Sequence, residues 1–274
     1  MYLVSVYLVI DCGSLEFAHA RLHSRHGQRA DESTWQRLET VREFAALLET
    51  ARGTSLQPWV LGLTATASAR QIEAALRSQW RMTVVEVVGW MPARWQAALS
   101  WCAVLPDLPL LQHLACDGEV SAAMLDDPEH RALCDAPSGA RLAVLSAGRL
   151  AALAMAWSAQ KTSTGAQPSA WLFAWHAEWR RRLPRRSSET DDKLAWVEAA
   201  LHAHASAFAV ASPGSGSLLR RSLGARLSQL LRRAMLDPAA AFIHIALCGL
   251  DLERLRGELL LRALFTGVPH TQAA

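Results

Sequence analysis

The chain has 274 residues, of which 51% are hydrophobic and 19% charged. That balance excludes a disordered chain and suffices for one large helical domain or two smaller ones with real cores. The formal net charge of +3 requires no anionic partner, although nearly all the positive charge is arginine, lysine occurring only at Lys161 and Lys193.

The five cysteines (Cys12, Cys102, Cys116, Cys134 and Cys248) include no C-x-x-C pair. Their odd number in a long chain argues against a disulfide framework and for a reducing setting. No run of about 18 apolar residues occurs, so no membrane-spanning helix is expected. Met1–Ile10 is apolar but lacks the basic start and cleavage site of a signal peptide, and the segment 1–14 is left unassigned. Eleven tryptophans against two tyrosines point to a helix-packing core that buries much area per residue.

Helix signals run from residue 14 onward. Ser33 and Gln36 have capping-box spacing, and Trp35, Leu38, Val41, Ala45 and Leu48 share one face of a helix that Gly53 ends. Ser68 and Gln71 repeat that signal ahead of Ile72, Leu76 and Trp80. Met82–Val88 is dense in β-branched residues, which favours strand, but it has no obvious strand partner and is read as helix or extended linker. Pro92 suits a first helical position ahead of Trp95, Leu99 and Cys102, and Pro106 and Pro109 break the run. Turns and short helices are expected over 117–139, one helix over 140–160, and a polar loop over 161–168.

Ser169 is expected to cap a helix carrying Trp171, Trp175 and Trp179 at the spacing of a buried stripe. Thr190 is expected to cap the next, with Leu194, Val197, Leu201 and Phe208 as its apolar positions. Ser212–Ser217 is a flexible connector, followed by a stripe at Leu219, Leu223, Leu227, Leu230 and Leu231. Asp237 and Pro238 open the longest helix, roughly 40 Å long at 1.5 Å per residue, ending at Gly267 and Pro269. The fold class expected is all-α. Segments 15–135 and 136–274 would form its two halves, together one compact helical protein.

Few residue patterns suggest chemistry. Glu16, His19, His23 and His26 lie on one side of a helix at spacings that allow a shared zinc or iron ion, against the plainer reading of a solvated helix face. His202 and His204 fall on nearly opposite faces and are no such pair. Asp11-Cys12-Gly13-Ser14 resembles the first phosphate loop of the actin and sugar-kinase ATPases, but a second Asp-Gly loop and further strands are missing. Walker, dinucleotide-binding, H-E-x-x-H and G-x-S-x-G signatures are absent. Arg180, Arg181, Arg182, Arg185 and Arg186, behind Trp175 and Trp179, suit nucleic acid, anionic lipid headgroups or a hydrated helix end. No metal, cofactor or catalytic residue is therefore assigned. A metal-dependent enzyme built on His19, His23 and His26 and an arginine-rich nucleic-acid binder stand as the alternatives.

One resemblance covers residues from about 15 to 268. The stretch from Thr34 to Leu63, with Leu47-Leu48, Thr54 and Trp59, followed by Ile72-Glu73-Ala74-Ala75-Leu76-Arg77, resembles the N-terminal half of the C (or d) subunit family of V/A-type rotary ATPases. Phe17-Ala18-x-Ala20-Arg21 resembles the family's early Y-x-x-A-R segment. Trp90–Leu114, in which an aspartate precedes a leucine-rich turn, resembles its next helix pair. Near the end, Asp251, Leu255 and Arg256 align with an E-x-x-N-L-R motif, Arg254 replaces its asparagine, and Arg262 stands for a following lysine.

The resemblance implies a funnel of pseudo-repeated helical units and a non-catalytic central-stalk subunit. Its partners would be the membrane proteolipid ring and the rotating shaft, and its place peripheral, on the cytoplasmic face of the inner membrane, in ion transport. Arg180, Arg181, Arg182, Arg185, Arg186, Asp251, Arg256 and Arg262 are the candidate interaction residues. No cofactor and no nucleic acid are implied.

Overall fold

The computed structural model describes residues 14–125, 127–162, 168–212 and 214–265. Every regular element among them is a helix and none is a strand. The segment before Ser14, the Asp11–Gly13 part of the loop motif and the expected stop at Gly267 and Pro269 lie outside the described residues.

Local chemistry explains most helix starts. Helix α1 (Leu15–Gly27) begins where the Ser14 hydroxyl accepts the Phe17 N–H at 3.1 Å. Helix α2 (Glu32–Thr40) is capped by Asp31, which accepts from Thr34 N at 2.8 Å, and not by Ser33. The single helix expected up to Gly53 is two: Val41 is extended and α3 (Phe44–Arg52) starts afresh, burying Phe44, Leu47, Leu48 and Ala51 while Ala45 faces out. The break has a tertiary cause. The carbonyls freed at the end of α2 accept from the guanidinium of Arg262, at 2.5 Å for Val41 and 3.0 Å for Glu39.

After the short α4 (Gln57–Val60), helix α5 (Ala69–Trp90) opens on the expected capping box. Ser68 N donates to Gln71 Oε1 at 2.8 Å and Gln71 N to Ser68 Oγ at 3.3 Å. The β-branched stretch 82–88 is the last part of this helix. Val84 and Val87 are core residues, so packing overrides β-propensity there. Pro92 precedes α6 (Ala93–Trp101). The chain then tightens into a 3₁₀ turn (Cys102–Asp107) that accommodates Pro106, and α7 (Leu108–Ala115) takes Pro109 in its first turn.

Short helices α8 (Ala122–Leu125) and α9 (Arg131–Asp135) follow. The helix expected over 140–160 is interrupted. Helix α10 (Arg141–Ala147) ends at an extended Gly148, and α11 (Ala154–Thr162) begins after a 3₁₀ turn. Helix α12 (Pro168–Arg182) starts with Pro168, which puts Ser169 inside the first turn and not at the cap. Helix α13 (Ser188–Ala209) is capped by Ser187, which accepts from Thr190 N at 3.2 Å. It buries Leu194 and Val197, whereas Leu201 and Phe208 are substantially exposed. Helix α14 (Gly216–Arg233) buries Leu223, Leu227 and Leu231. Helix α15 (Ala239–Phe265) has 27 residues and opens where Asp237 accepts from Ala239 N at 2.8 Å.

The chain folds as two compact units. The first comprises the described residues of 1–28, 84–100 and 184–250, the second those of 29–83, 101–183 and 251–274. In the first, α13 and α14 pair along their leucines, Arg21 sits 5.5 Å from the Trp90 ring, and Trp95 meets Phe242 edge to face at 6.3 Å.

Tryptophans organise the second unit. Trp157 and Trp171 are fully buried and meet edge to face at 6.1 Å. Trp101 and Trp175 exchange hydrogen bonds: each indole N–H donates to the other's backbone carbonyl, at 2.9 and 3.1 Å, tying the end of α6 to α12. Of the expected stripe, Trp171 and Trp179 are buried and Trp175 is half-buried. Truncating Trp171→Ala is expected to lower unfolding free energy by about 3–5 kcal/mol, read from the urea midpoint with the slope unchanged.

Candidate functional site

The resemblance placed its C-terminal residues on what is now the last part of α15, and that part carries a dense set of ion pairs within the second unit. Asp251 is buried and accepts two hydrogen bonds from Arg29, Nε to Oδ2 and Nη2 to Oδ1, both at 2.7 Å. Such a bidentate pair has directional strength that a lysine lacks. Burial pushes the Asp251 carboxyl up from the usual carboxylate range, with Arg29 and Arg254 pulling against it.

One turn on, Arg254 binds Glu32 at 3.0 Å and Glu39 at 2.6 Å, and lies 4.7 Å from the Trp35 ring. Arg256 donates to Glu73 of α5 at 2.7 Å. Arg262, also buried, serves as the C-terminal cap of α2 and is held in place by Glu258 of its own helix at 2.6 Å. Asp251, Arg256 and Arg262 are therefore all engaged within the chain, in one band that staples α15 to α2 and α5. A cavity of about 440 Å³ lies beside this band, lined by Arg70, Glu73, Arg77, His113, Leu260 and Leu264 among others.

The arginine run crosses the boundary between the two units. Arg180, Arg181 and Arg182 belong to the second unit, and Arg185 and Arg186 to the first. Arg181 and Arg182 both bind Glu178, at 2.6 and 2.7 Å, and Arg182 also lies 4.5 Å from the Trp101 ring. The hydrogen bond from Arg181, followed by that from Arg182, holds the Glu178 carboxyl below its ordinary value despite its burial. Arg186 binds Asp191 at 2.5 Å. Arg180 and Arg185 are exposed.

The histidines of α1 do not gather as a metal site. His19 and His23 rings lie 4.2 Å apart, His19 Nδ1 accepts from Leu236 N at 3.4 Å, and burial followed by the His23 charge lowers the His19 value. No group of three or more His, Cys, Asp or Glu among the described residues is arranged to hold a metal ion. Burial pushes the Cys102 thiol up to about 12 and raises the Cys134 thiol as well. No described helix is long and apolar enough to cross a membrane.

Sequence reading missed a second buried cluster in the same unit. Asp107 accepts from Arg81 Nη2 at 3.0 Å, lies 3.2 Å from His130 Nε2, and stands 3.9 Å from Arg77. Arg81 also grips both oxygens of Asp127, at 3.0 and 2.8 Å. The aspartate before the leucine-rich turn and Arg77 were its visible members, in separate motifs. The partners of that aspartate are 23 to 30 residues distant along the chain, with no periodic signal to link them. Burial alone would push the Asp127 carboxyl up, but the hydrogen bonds and charge of Arg81 overcome it and leave it below its ordinary value.

Two outcomes follow from these geometries. Arg262→Met is expected to destabilise the protein by about 3 kcal/mol, because it strands the carbonyls at the end of α2. Amide exchange there should accelerate, and Arg262→Lys should not restore protection, since an ammonium cannot span the same acceptors. For Asp127, the folded value lies below the unfolded one. Its stabilisation is therefore present at neutral pH and lost as pH falls through the folded value, below about pH 4. Melting temperatures measured between about pH 5 and pH 3 should fall more steeply for the natural protein than for Asp127→Asn.

No family model matches this chain, and neither a curated protein nor a solved structure matches it.

Proposed function

We propose that this chain is a non-catalytic coupling subunit of a V/A-type rotary ATPase, of the C (or d) class, joining the central shaft to the proteolipid ring. One observation carries the reading. Two segments that resemble that family's motifs, Ile72–Arg77 and Asp251–Arg256, lie far apart in sequence yet meet through the Glu73–Arg256 ion pair. Their apolar members Ile72, Leu76 and Leu255 are fully buried, and Asp251 is tied to Arg29. Residues that resemble a family pattern and also cooperate in one packed band support common descent of that band.

The physics of the proposed task agrees with it. A subunit that transmits torque must not yield, and stiffness comes from close packing together with cross-links between helices. The Arg29–Asp251, Arg254–Glu32, Arg254–Glu39 and Arg256–Glu73 pairs are such cross-links, and the reciprocal Trp101–Trp175 hydrogen bonds are others. In this reading the protein is a funnel of related helical units. It lies peripherally on the cytoplasmic face of the inner membrane, with exposed arginines such as Arg180 and Arg185 toward the ring or the shaft.

The test is recovery of the affinity-tagged full chain from native membranes in mild detergent. Proteolipid and shaft subunits are expected to co-purify in fixed proportion and to survive moderate salt. Recovery without both overturns the reading. So does recovery with nucleic acid that is released steeply as salt rises.

A further inference from the structure

A second cavity, of about 570 Å³, opens in the first unit where the starts of α13 and α15 come together. Its volume lies within the range of small-molecule sites. Its charged lining is four cations, Arg94, Arg185, Arg186 and Lys193, against two carboxylates, Glu189 and Asp237.

Those carboxylates are already engaged. Lys193 binds Glu189 at 2.7 Å and Asp237 at 3.1 Å, and Thr190 donates to Asp237 at 3.1 Å. Arg186 is satisfied by Asp191 at 2.5 Å. Arg94 and Arg185 remain. Both are exposed, and neither has a hydrogen bond or ion pair among the described residues. An anion held between these two guanidiniums would be attracted by both, and contacts of that charge-assisted kind are the stronger hydrogen bonds.

The rest of the lining favours the same charge. The first-turn N–H groups of the 22-residue α13 have no intrahelical acceptor apart from the Ser187 hydroxyl, which serves Thr190 alone. The positive end of that helix dipole adds to the arginines. Trp95 lies beneath the cavity. It is fully buried, and its indole N–H finds no acceptor among the described residues. Leu236, also in the lining, holds φ at 52°, a left-handed conformation that costs a bulky side chain energy and occurs where surrounding structure imposes it.

We propose that this cavity binds a phosphate-bearing small molecule, with Arg94 and Arg185 as the partners of its phosphoryl charge. Two unpaired guanidiniums match a doubly charged phosphoryl group better than a singly charged carboxylate, and arginine's planar fork fits phosphate oxygens. The volume leaves room for an organic portion beyond the phosphoryl group. A soluble phosphate ester and a phosphomonoester lipid headgroup both present such a group, and the two probes below separate them. The proposal uses none of the residues of the α15 band and shares only Arg185 with the rotary-ATPase reading, so loss of phosphate binding and loss of subunit co-purification are separate outcomes.

The test uses the full chain with two probes: pyrophosphate by titration calorimetry, and phosphatidylcholine vesicles containing phosphatidic acid by co-sedimentation. The variant is the double substitution Arg94→Gln and Arg185→Gln. Both sites are exposed, so its unfolding midpoint should match that of the natural protein. Arg226→Gln, an exposed arginine elsewhere in the same unit, is the control. Pyrophosphate affinity is expected to fall about tenfold per arginine in the double variant, to weaken with salt, and to be unchanged in the control. Binding to vesicles alone, lost in the double variant, supports the same site with a lipid source. Equal binding by the double variant and the natural protein, or no binding of either probe by the natural protein, overturns the proposal.

Discussion

An arginine placed under a helix must be given acceptors, because a buried charge stripped of partners costs several kcal/mol. The last part of α15 carries Arg254, Arg256 and Arg262, and much of the second unit is arranged to meet that demand. Glu32 and Glu39 of α2 turn toward Arg254, Glu73 of α5 toward Arg256, and α2 itself ends where Arg262 can take its carbonyls. Asp251 poses the complementary problem for a carboxylate, and Arg29 solves it. The same requirement governs the Arg81–Asp107–Asp127 cluster.

The contacts of Asp251 and Arg262 differ from ordinary surface salt bridges, which contribute little. Asp251 and Arg262 are buried, and their geometries are bidentate or multiply bonded. Removing one partner is far more damaging than the pair is stabilising, because the other charge is left in a poor environment. Their contribution is therefore to specify which helices meet and in what register. The tryptophans supply the apolar counterpart. Trp157 and Trp171 fill the core, and Trp101 and Trp175 satisfy their indole N–H groups on each other's backbone, so that area burial and hydrogen bonding agree.

Polar groups that serve structure and polar groups left for a ligand can be told apart by whether a partner is present. Along the α15 band every candidate interaction residue, Asp251, Arg256 and Arg262, is engaged within the chain. At the α13 start the opposite holds for Arg94 and Arg185. The arginine run 180–186 contains both kinds, which its sequence alone, a block of like charge, does not reveal.

Periodicity and capping chemistry act over three or four residues, and what depends on them was legible in the sequence. The all-α class, the Ser68–Gln71 capping box, the leucines of α14 and the opening of α15 at Asp237 follow from such local rules. The split between α2 and α3, the interruption at Gly148 and the buried Val84 and Val87 were decided elsewhere. Arg262 lies 221 residues from the Val41 carbonyl it binds, and Arg256 lies 183 residues from Glu73. Nothing in a local pattern encodes which distant side chain will arrive at a helix end. That selection is made by the packing of whole helices, and so only the tertiary structure could assign these arginines their partners.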